Sequence, residues 1–212
     1  MTRIAAIIPV GTLEGAKTRL GEMLDAEERH DLVEGLLART VVAALAVTSL
    51  ADVLVVSPDR EVLRRASAIG ARTLRQRTKG LNAGLREARA DVVAGGATAI
   101  LVIPIDLPLV TAEAIEAVAK PLTETRADGA PVVVLVADRH GTGTNALGLR
   151  PPDVIDFAFG RGSRRAHVAA ARASGATVVE LQGPLSVDLD TADDLVFVES
   201  AEPERTGGLG VG

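Results

Sequence analysis

The sequence predicts a single α/β domain in which helices cover both faces of a mostly parallel β-sheet. Short apolar runs rich in valine and isoleucine alternate with longer segments whose apolar residues recur at helical spacing. Strands that are apolar on both faces are typical of parallel sheets buried between two layers of helices. At 212 residues the chain is long enough for one such domain with a substantial core.

The predicted elements follow one another with glycine, proline or polar residues between them, and Gly70 and Gly95 mark two helix ends. Residues 1–200 are expected to form one domain, 201–212 a disordered tail, and the irregular segment 141–163 a binding loop. The predicted strands are 4–9, 52–57, 71–75, 98–105, 131–137, 145–149 and 176–181. The predicted helices are 26–48, 61–69, 82–94, 112–122, 164–174 and 191–200.

Composition excludes several classes of function. The net charge is −5 and the chain has no tryptophan or tyrosine, which argues against a nucleic-acid-binding groove. With no cysteine there can be no disulfide, thiolate metal site or cysteine nucleophile. No apolar run approaches the roughly 20 residues of a membrane helix, and a signal-peptide pattern is absent. We therefore expect a cytoplasmic protein that contacts neither nucleic acid nor membrane.

Three aspartates follow two apolar runs that are predicted to end at the same edge of the sheet. Asp106 follows residues 100–105, and Asp188 and Asp190 follow Ser186-Val187. Ligands of open α/β sheets bind outside the carboxyl ends of the strands, and a one-residue gap points Asp188 and Asp190 to the same side. Each aspartate could instead start a turn or cap a helix. Together they predict a Mg²⁺ site, and Mg²⁺ commonly accompanies phosphate.

The loop after the first predicted strand carries groups that suit a phosphate. Pro9 and Val10 lead into a glycine-containing segment with Lys17 and Arg19, whose side chains are charge-assisted donors. The Gly-Lys-Ser/Thr sequence of a P-loop is missing. An ordinary solvated loop is the alternative interpretation.

Two further turns have open interpretations. Asn82, in the turn after Lys79-Gly80, could cap the following helix or could reach a ribose or phosphate. Ser57, which precedes Pro58-Asp59, could serve turn geometry or nucleotide recognition.

The segment 157–167 predicts an anion site. A Gly-x-Gly-Ser turn that opens a helix presents backbone N–H groups and the positive end of the helix dipole. Arg161, Arg164 and Arg165 add positive charge at the same place. Ser163 could alternatively act only as the N-cap of that helix.

The three histidines do not suggest catalysis. His30, His140 and His167 lack metal-ligand spacing and an evident nucleophile partner, and no Gly-x-Ser-x-Gly elbow is present. His30 is expected on a helix surface. Hydrolase chemistry therefore has little support.

Six segments together resemble the guanylyltransferases of coenzyme F-420 biosynthesis, which act on 2-phospho-L-lactate or phosphoenolpyruvate. They occur in the family's order and span residues 4 to about 199, and one departure is Gly11, where the family usually has lysine. The matching segments are Ile8-Pro9-Val10 with Ala16-Lys17-Thr18-Arg19-Leu20, Gly80-Leu81-Asn82, Pro104-Ile105-Asp106-Leu107-Pro108, Gly143-Thr144-Asn145-Ala146-Leu147, Phe159-Gly160-x-Gly162-Ser163 and Asp188-x-Asp190-Thr191.

The resemblance implies a GT-A-like, Rossmann-like nucleotidyltransferase fold with a mixed sheet. It implies GTP as the donor. The sequence does not determine the oligomeric state, and a homodimer is one option. The nucleotide would contact Pro9, Val10, Lys17, Arg19, Ser57 and Asn82, and the acceptor would contact Asn145, Gly160 and Ser163. Mg²⁺ would bind Asp106, Asp188 and Asp190, and the groups at the reacting phosphates would be Lys17, Arg19 and Asp106.

The expected reaction is the attack of an acceptor phosphate on the α-phosphorus of GTP, with phosphoenolpyruvate or 2-phospho-L-lactate as the acceptor. An anionic phosphate oxygen needs no general base, so positioning and charge neutralisation are the main requirements. Two alternatives stay open on the sequence alone. One is a different small-molecule nucleotidyltransferase, of the cytidylyltransferase or molybdopterin guanylyltransferase type, and the other is a non-catalytic nucleotide-binding module.

Overall fold

A seven-stranded sheet lies at the centre of the computed structural model, which describes residues 2–12, 25–124 and 129–189. None of the described helices is long and apolar enough to pass through a membrane. The strands are β1 (Ile4–Pro9), β2 (Leu50–Ser57), β3 (Arg72–Arg75), β4 (Ala99–Val102), β5 (Val132–Ala137), β6 (Thr144–Arg150) and β7 (Thr177–Leu181). The helices are α1 (Ala26–Leu45), α2 (Arg60–Ile69), α3 (Leu81–Ala94), α4 (Ala112–Thr123), α5 (Ser163–Ala173) and a 3₁₀ turn (Pro184–Ser186).

The strand order is β3-β2-β1-β4-β6-β5-β7. Strand β6 runs antiparallel to both of its neighbours, β4 and β5, whereas all other neighbouring strands are parallel. The parallel strands therefore end at one edge of the sheet, and β6 begins at that same edge. One reversed strand thus brings its first residues to the place where ligands of α/β sheets bind.

The sheet separates two hydrophobic cores. Ile4, Ala6 and Ile8 of β1 pack into the core shared with α1, α2 and α4, whereas Ala5 and Ile7 pack into the core shared with α3 and α5. This division follows from the two-residue period of a strand, which turns successive side chains to opposite faces. Both faces are apolar, as the continuous apolar runs in the sequence predict.

The predicted α/β architecture with a mostly parallel sheet is confirmed, and the deviations are at element ends. The strand predicted for 98–105 ends at Val102: the Ile103 N–H still donates to the Ile7 carbonyl at 3.0 Å, but Pro104 has no N–H with which to extend the ladder. The helix predicted to reach residue 48 ends at Leu45. The predicted helix 191–200 and the predicted tail lie outside the described residues.

Helix α1 begins with a capping box that the sequence analysis did not single out. Asp25 accepts hydrogen bonds from the backbone N–H groups of Glu27 and Glu28, both at 2.9 Å, and the Glu28 carboxylate accepts from the Asp25 N–H at 2.8 Å. This reciprocal pairing satisfies N–H groups that a helix start otherwise leaves unpaired.

Asp25→Ala is expected to lower the free energy of unfolding by about 1 kcal/mol, the usual cost of removing a side-chain N-cap. Urea unfolding followed by circular dichroism measures it. Asp31→Ala, an exposed aspartate within the same helix, is the matched control and should not destabilise the protein. Equal stability of the Asp25 variant and the wild type would contradict the role of the cap.

Candidate active site

A cleft of about 890 Å³ opens at the edge where the parallel strands end and β6 begins. The segments after β4 and β5, the start of β6, the turn before α5 and the segment after the 3₁₀ turn form its walls. Five residues predicted to form the site line it: Asp106, Asn145, Gly160, Ser163 and Asp188. The structure therefore brings together the predicted metal and acceptor residues that it describes.

Asp106 and Asp188 both line the cleft. The Leu189 N–H donates to the carbonyl of Asp106 at 2.8 Å, so the two chain segments are joined by a backbone hydrogen bond. Asp190, like Lys17 and Arg19, lies outside the described residues. Within the described ranges no group of three histidine or acidic residues is placed to hold a metal. Two carboxylates nevertheless fit Mg²⁺, which is commonly bound by one or two carboxylates together with substrate phosphates and water.

The end of β2 holds the beginning of the first loop. The buried Ser57 hydroxyl donates to the Gly11 carbonyl at 3.3 Å and accepts from the Asp59 N–H at 3.0 Å. Asp59 in turn caps α2 by accepting from the Glu61 N–H at 2.8 Å. Ser57 therefore serves turn geometry, and through Gly11 it holds the loop that follows Pro9 and Val10. Nucleotide contacts of these residues stay predictions.

Asn82 does not cap its helix. The N-cap of α3 is Gly80, with φ +92° and no side-chain capping bond, so that hypothesis is wrong. Instead, the Asn82 amide pairs with the backbone of Phe159: it accepts from the N–H at 2.9 Å and donates to the carbonyl at 3.0 Å. The side chain thereby ties α3 to the wall of the cleft before Gly160, and a contact with the nucleotide stays a prediction.

Two side chains hold the turn before α3. Gln76 donates to the carbonyls of Thr78 and Gly80, at 2.7 Å and 3.0 Å. The Glu87 carboxylate accepts from the Thr78 hydroxyl and from the N–H groups of Arg77 and Thr78, and these bonds lower its pKa. The Lys79-Gly80 turn is consequently held in one conformation beside the cleft.

Asn145, the second residue of β6, is buried and anchors another wall. Its amide donates to the Leu185 carbonyl at 3.1 Å. Leu185 belongs to the 3₁₀ turn that leads to Asp188. Asn145 therefore links the predicted acceptor pocket to the predicted metal ligand.

The turn before α5 differs from its predicted form in two ways. Ser163 is the first residue of the helix and Gly162, with φ +72°, is the N-cap, so the N-cap hypothesis for Ser163 is wrong. The Ser163 and Arg164 N–H groups donate to the carbonyls of Gly160 and Thr142, at 3.1 Å and 3.3 Å, and are not the free donors that we expected. The buried Ser163 hydroxyl, in contrast, has no partner among the described residues. It lines the cleft and can donate to an anionic ligand.

The predicted arginine cluster divides between two places. Arg161 lines the cleft, whereas Arg164 forms an ion pair with Glu180 at 2.7 Å and donates to the Gly141 carbonyl. Arg165 lines the neighbouring depression along α5. Of the three, Arg161 is the one placed to contribute positive charge to the cleft.

Asp138 is a cleft residue that the sequence analysis missed. Its carboxylate accepts from the N–H groups of Thr142 and Gly143, at 2.8 Å and 2.7 Å, and from the Thr142 hydroxyl. Partial burial alone would raise the pKa of Asp138, but these hydrogen bonds outweigh it and lower the pKa. A Cβ at Gly143 would lie 2.6 Å from Asp138 Oδ2, so a larger residue there would displace this carboxylate. The available signal was an aspartate directly after a predicted strand, as at Asp106.

His167 of α5 is a second residue that sequence reasoning set aside. It is fully buried behind the cleft. Its Nδ1 lies 3.0 Å from the Thr144 hydroxyl, and its Nε2 accepts from the Ala158 N–H at 3.0 Å. Burial lowers the pKa of His167 to about 4, because the charged imidazolium loses its hydration there.

The buried histidine predicts a specific pH dependence of stability. In the unfolded chain its pKa is near 6.5, so between about pH 6.5 and 4 the unfolded state binds a proton that the folded state excludes. Stability contributed by neutral His167 is therefore complete above that window and decreases as the pH falls through it. Relative to His167→Gln, the wild type is expected to lose up to roughly 1.4 kcal/mol per pH unit.

Urea unfolding of both proteins, at several pH values from neutrality down to about 5, measures this difference. Carboxylates titrate in both proteins, so their effect cancels in the comparison. If the free energies of unfolding of the two proteins change with pH in parallel, His167 is not neutral and buried as described.

Solved structures of other proteins share this fold. A protein described as a nucleotide-diphospho-sugar transferase, from Desulfovibrio desulfuricans, has a TM-score of 0.78 at 17% identity and covers 97% of this chain and 90% of its own. A nucleotidyl transferase from Methanothermobacter has a TM-score of 0.66 at 17% identity, with coverage of 95% and 98%. The mixed sheet and the aspartate-lined cleft at its carboxyl edge define the protein as one with a nucleotidyltransferase fold.

The family follows from sequence similarity. The profile of the family described as "Guanylyl transferase CofC like" matches residues 4–199. Phosphoenolpyruvate guanylyltransferase of Sphaerobacter thermophilus is 44% identical over 92% of this chain and 91% of its own length, and that of Rubrobacter xylanophilus is 43% identical over 93% and 94%. The chain belongs to this guanylyl transferase family, and both the resemblance and the GT-A-like fold class are confirmed. It is therefore a nucleotidyltransferase enzyme.

Proposed function

We propose that the protein transfers the guanylyl group of GTP to phosphoenolpyruvate and releases pyrophosphate. The product would be enolpyruvoyl-2-diphospho-5'-guanosine, a precursor in coenzyme F-420 biosynthesis. The observation that carries the proposal is family membership, together with relatives of 44% and 43% identity that are named phosphoenolpyruvate guanylyltransferase.

The chemistry of the cleft supports an enzyme with two anionic substrates. Asp106 and Asp188 line the cleft and would hold a cation. Arg161 and the Ser163 hydroxyl, which has no partner among the described residues, also line it, next to the positive end of the α5 dipole. The acceptor phosphate would bind these two groups, and the triphosphate of the donor would reach the cation.

Asp106 and Asp188, with Asp190 as the predicted third ligand, would hold Mg²⁺. When bound there, Mg²⁺ supplies charge neutralisation for the phosphates and Lewis-acid activation of the α-phosphorus. The two carboxylates would position the cation, and the backbone hydrogen bond from Leu189 to Asp106 keeps their chain segments together.

The transfer needs no general base from the protein. An acceptor phosphate oxygen attacks the α-phosphorus of GTP, and the bond from that phosphorus to the leaving pyrophosphate breaks with its electron pair on pyrophosphate. His167 contacts Thr144, the neighbour of the predicted acceptor residue Asn145, and has hydrogen bonds at both ring nitrogens, so it cannot take up a proton without losing one of them. Catalysis therefore depends on alignment and charge neutralisation.

The donor side of the proposal rests on the first loop and its neighbours. Pro9, Val10, Ser57 and Asn82 would contact the nucleotide, and Lys17 and Arg19 would stabilise the leaving pyrophosphate. Support comes from Ser57, whose hydroxyl holds the Gly11 carbonyl and so orients the start of that loop.

Pyrophosphate release tests the proposed function. Purified protein with GTP and Mg²⁺ would be given phosphoenolpyruvate, 2-phospho-L-lactate or 3-phosphoglycerate in separate reactions. We expect release with phosphoenolpyruvate and loss of release when Mg²⁺ is chelated. A parallel series with CTP controls for donor choice.

Three outcomes would contradict the proposal. A preference for 2-phospho-L-lactate would correct the acceptor, and a preference for CTP would indicate a cytidylyltransferase. Binding of GTP without pyrophosphate release under every condition would indicate a non-catalytic nucleotide-binding module.

A further inference from the structure

The buried His167 connects two walls of the cleft that are distant in sequence. Its Nε2 accepts the Ala158 N–H, and a backbone N–H can only donate. Nε2 therefore carries no proton, so the single proton of the neutral ring is on Nδ1. That Nδ1–H points at the Thr144 hydroxyl, 3.0 Å away, and must donate to its oxygen.

This arrangement determines what the Thr144 hydroxyl can do. Its oxygen accepts from His167, which leaves its own proton to be donated elsewhere. Thr144 lines the cleft beside Asn145, and no second partner for its hydroxyl is found in the described part of the chain. The cleft thus holds two hydroxyls that can donate to a ligand, those of Thr144 and Ser163.

His167 also fixes a second wall of the cleft, the segment before Gly160. Its bond to Ala158 fixes the segment that leads to Gly160, and the Phe159 ring packs edge-on against the imidazole with centroids 5.1 Å apart. Asn82 pairs with both backbone groups of Phe159 from the other side. The segment is therefore held from two directions, by α3 and by α5.

We infer that His167, as the neutral Nδ1–H tautomer, is a positioning residue for the acceptor, and that it orients the Thr144 hydroxyl to donate to an anionic oxygen of the acceptor while it fixes the wall before Gly160. The inference rests on the proposed function, because it assigns this cleft to a small phosphorylated acid. The pKa of His167, lowered to about 4 by burial, supports it, since the ring stays neutral near pH 7.

Substitutions that keep one hydrogen bond at a time test the role of His167. Glutamine can place an oxygen where Nε2 accepts, asparagine can place an N–H where Nδ1 donates, and leucine does neither. We expect His167→Leu to raise the KM for phosphoenolpyruvate by at least about tenfold with the KM for GTP unchanged within about twofold. His167→Gln and His167→Asn should each raise the KM for phosphoenolpyruvate by less than His167→Leu does.

His30→Gln is the matched control, because His30 is half-exposed on α1, and it should change neither KM. Equal increases of both KM values in all His167 variants would indicate a merely structural role and would overturn the inference. Unchanged values for both substrates in His167→Leu would overturn it as well.

Thr144 provides a second test that does not depend on the folding of His167 variants. Thr144→Val keeps the shape and removes the hydroxyl, and it should raise the KM for phosphoenolpyruvate about tenfold, while Thr144→Ser should stay near the wild type. Nitrogen-15 NMR of the three histidine rings should show His167 protonated at Nδ1 only. A wild-type KM in Thr144→Val, or a proton on Nε2, would overturn the inference.

Failure of this inference and failure of the proposed function are distinguishable. A wild-type protein that releases no pyrophosphate with any of the acids overturns the proposed function. An active wild type whose Thr144→Val and His167→Leu variants keep their KM for phosphoenolpyruvate overturns the positioning role alone.

Discussion

Asp188→Asn is expected to reduce turnover by about 10²–10³-fold, the usual loss when one preorganised charge contact at a reacting phosphate is removed. Asp106→Asn should have a similar effect, because both residues line the cleft and both are proposed to hold Mg²⁺. The measurement is pyrophosphate release with GTP and phosphoenolpyruvate over a range of Mg²⁺ concentrations. A metal ligand predicts that higher Mg²⁺ recovers part of the lost activity.

Asp153→Asn is the control for that experiment, since it makes the same change at an exposed aspartate in the turn after β6. It should leave turnover and Mg²⁺ dependence unchanged. Circular dichroism and thermal unfolding establish that all three variants are folded. Full activity of both Asp106→Asn and Asp188→Asn would refute the metal assignment.

Asn82→Ala is expected to lower kcat/KM for phosphoenolpyruvate by about a hundredfold, because it leaves the Phe159 N–H and carbonyl without their partners and loosens the wall before Gly160. If Asn82 acts through Phe159, most of the loss should lie in the KM for phosphoenolpyruvate. If it contacts the nucleotide, as the family resemblance implies, the KM for GTP should rise instead. Steady-state kinetics with each substrate varied in turn separates the two.

Asn82→Asp is a graded comparison for the same question. Aspartate can still accept from the Phe159 N–H but cannot donate to its carbonyl, so an intermediate effect is expected. An aspartate variant as impaired as the alanine variant would point away from the two-bond pairing. Unchanged kinetics in Asn82→Ala would contradict both roles.

Much of the fold could be predicted from the sequence because its signals are local. Apolar runs, helical spacing and glycine at helix ends depend on a few neighbouring residues, and they located all seven strands to within a few positions. The position of Asp106 and Asp188 at the same edge of the sheet was also predictable, since each directly follows an apolar segment. The antiparallel direction of β6 was not predictable. It depends on the neighbouring strands in the sheet and does not change the pattern of apolar residues within β6.

The contacts that hold the cleft together were beyond sequence reasoning for a related reason. Asn82 and Phe159 are 77 residues apart, and Thr144 and His167 are 23 residues apart. No spacing rule brings such pairs together, so the sequence alone predicts a helix cap or a nucleotide ligand at Asn82 and no role for His167. Their roles depend on which side chains the sheet order places at one edge.

The two hydrogen bonds between Asn82 and Phe159 have a consequence for engineering. Asn82, the second residue of α3, is among the residues that the family resemblance assigns to the nucleotide, yet its side chain supports the wall before Gly160, a predicted acceptor residue. Donor and acceptor specificity therefore cannot be exchanged as independent modules. A graft of residues 76–87 from a cytidylyltransferase would alter acceptor binding too, and its effects would not add to those of changes near Gly160. A designer should transplant the asparagine and the 157–160 segment as one unit.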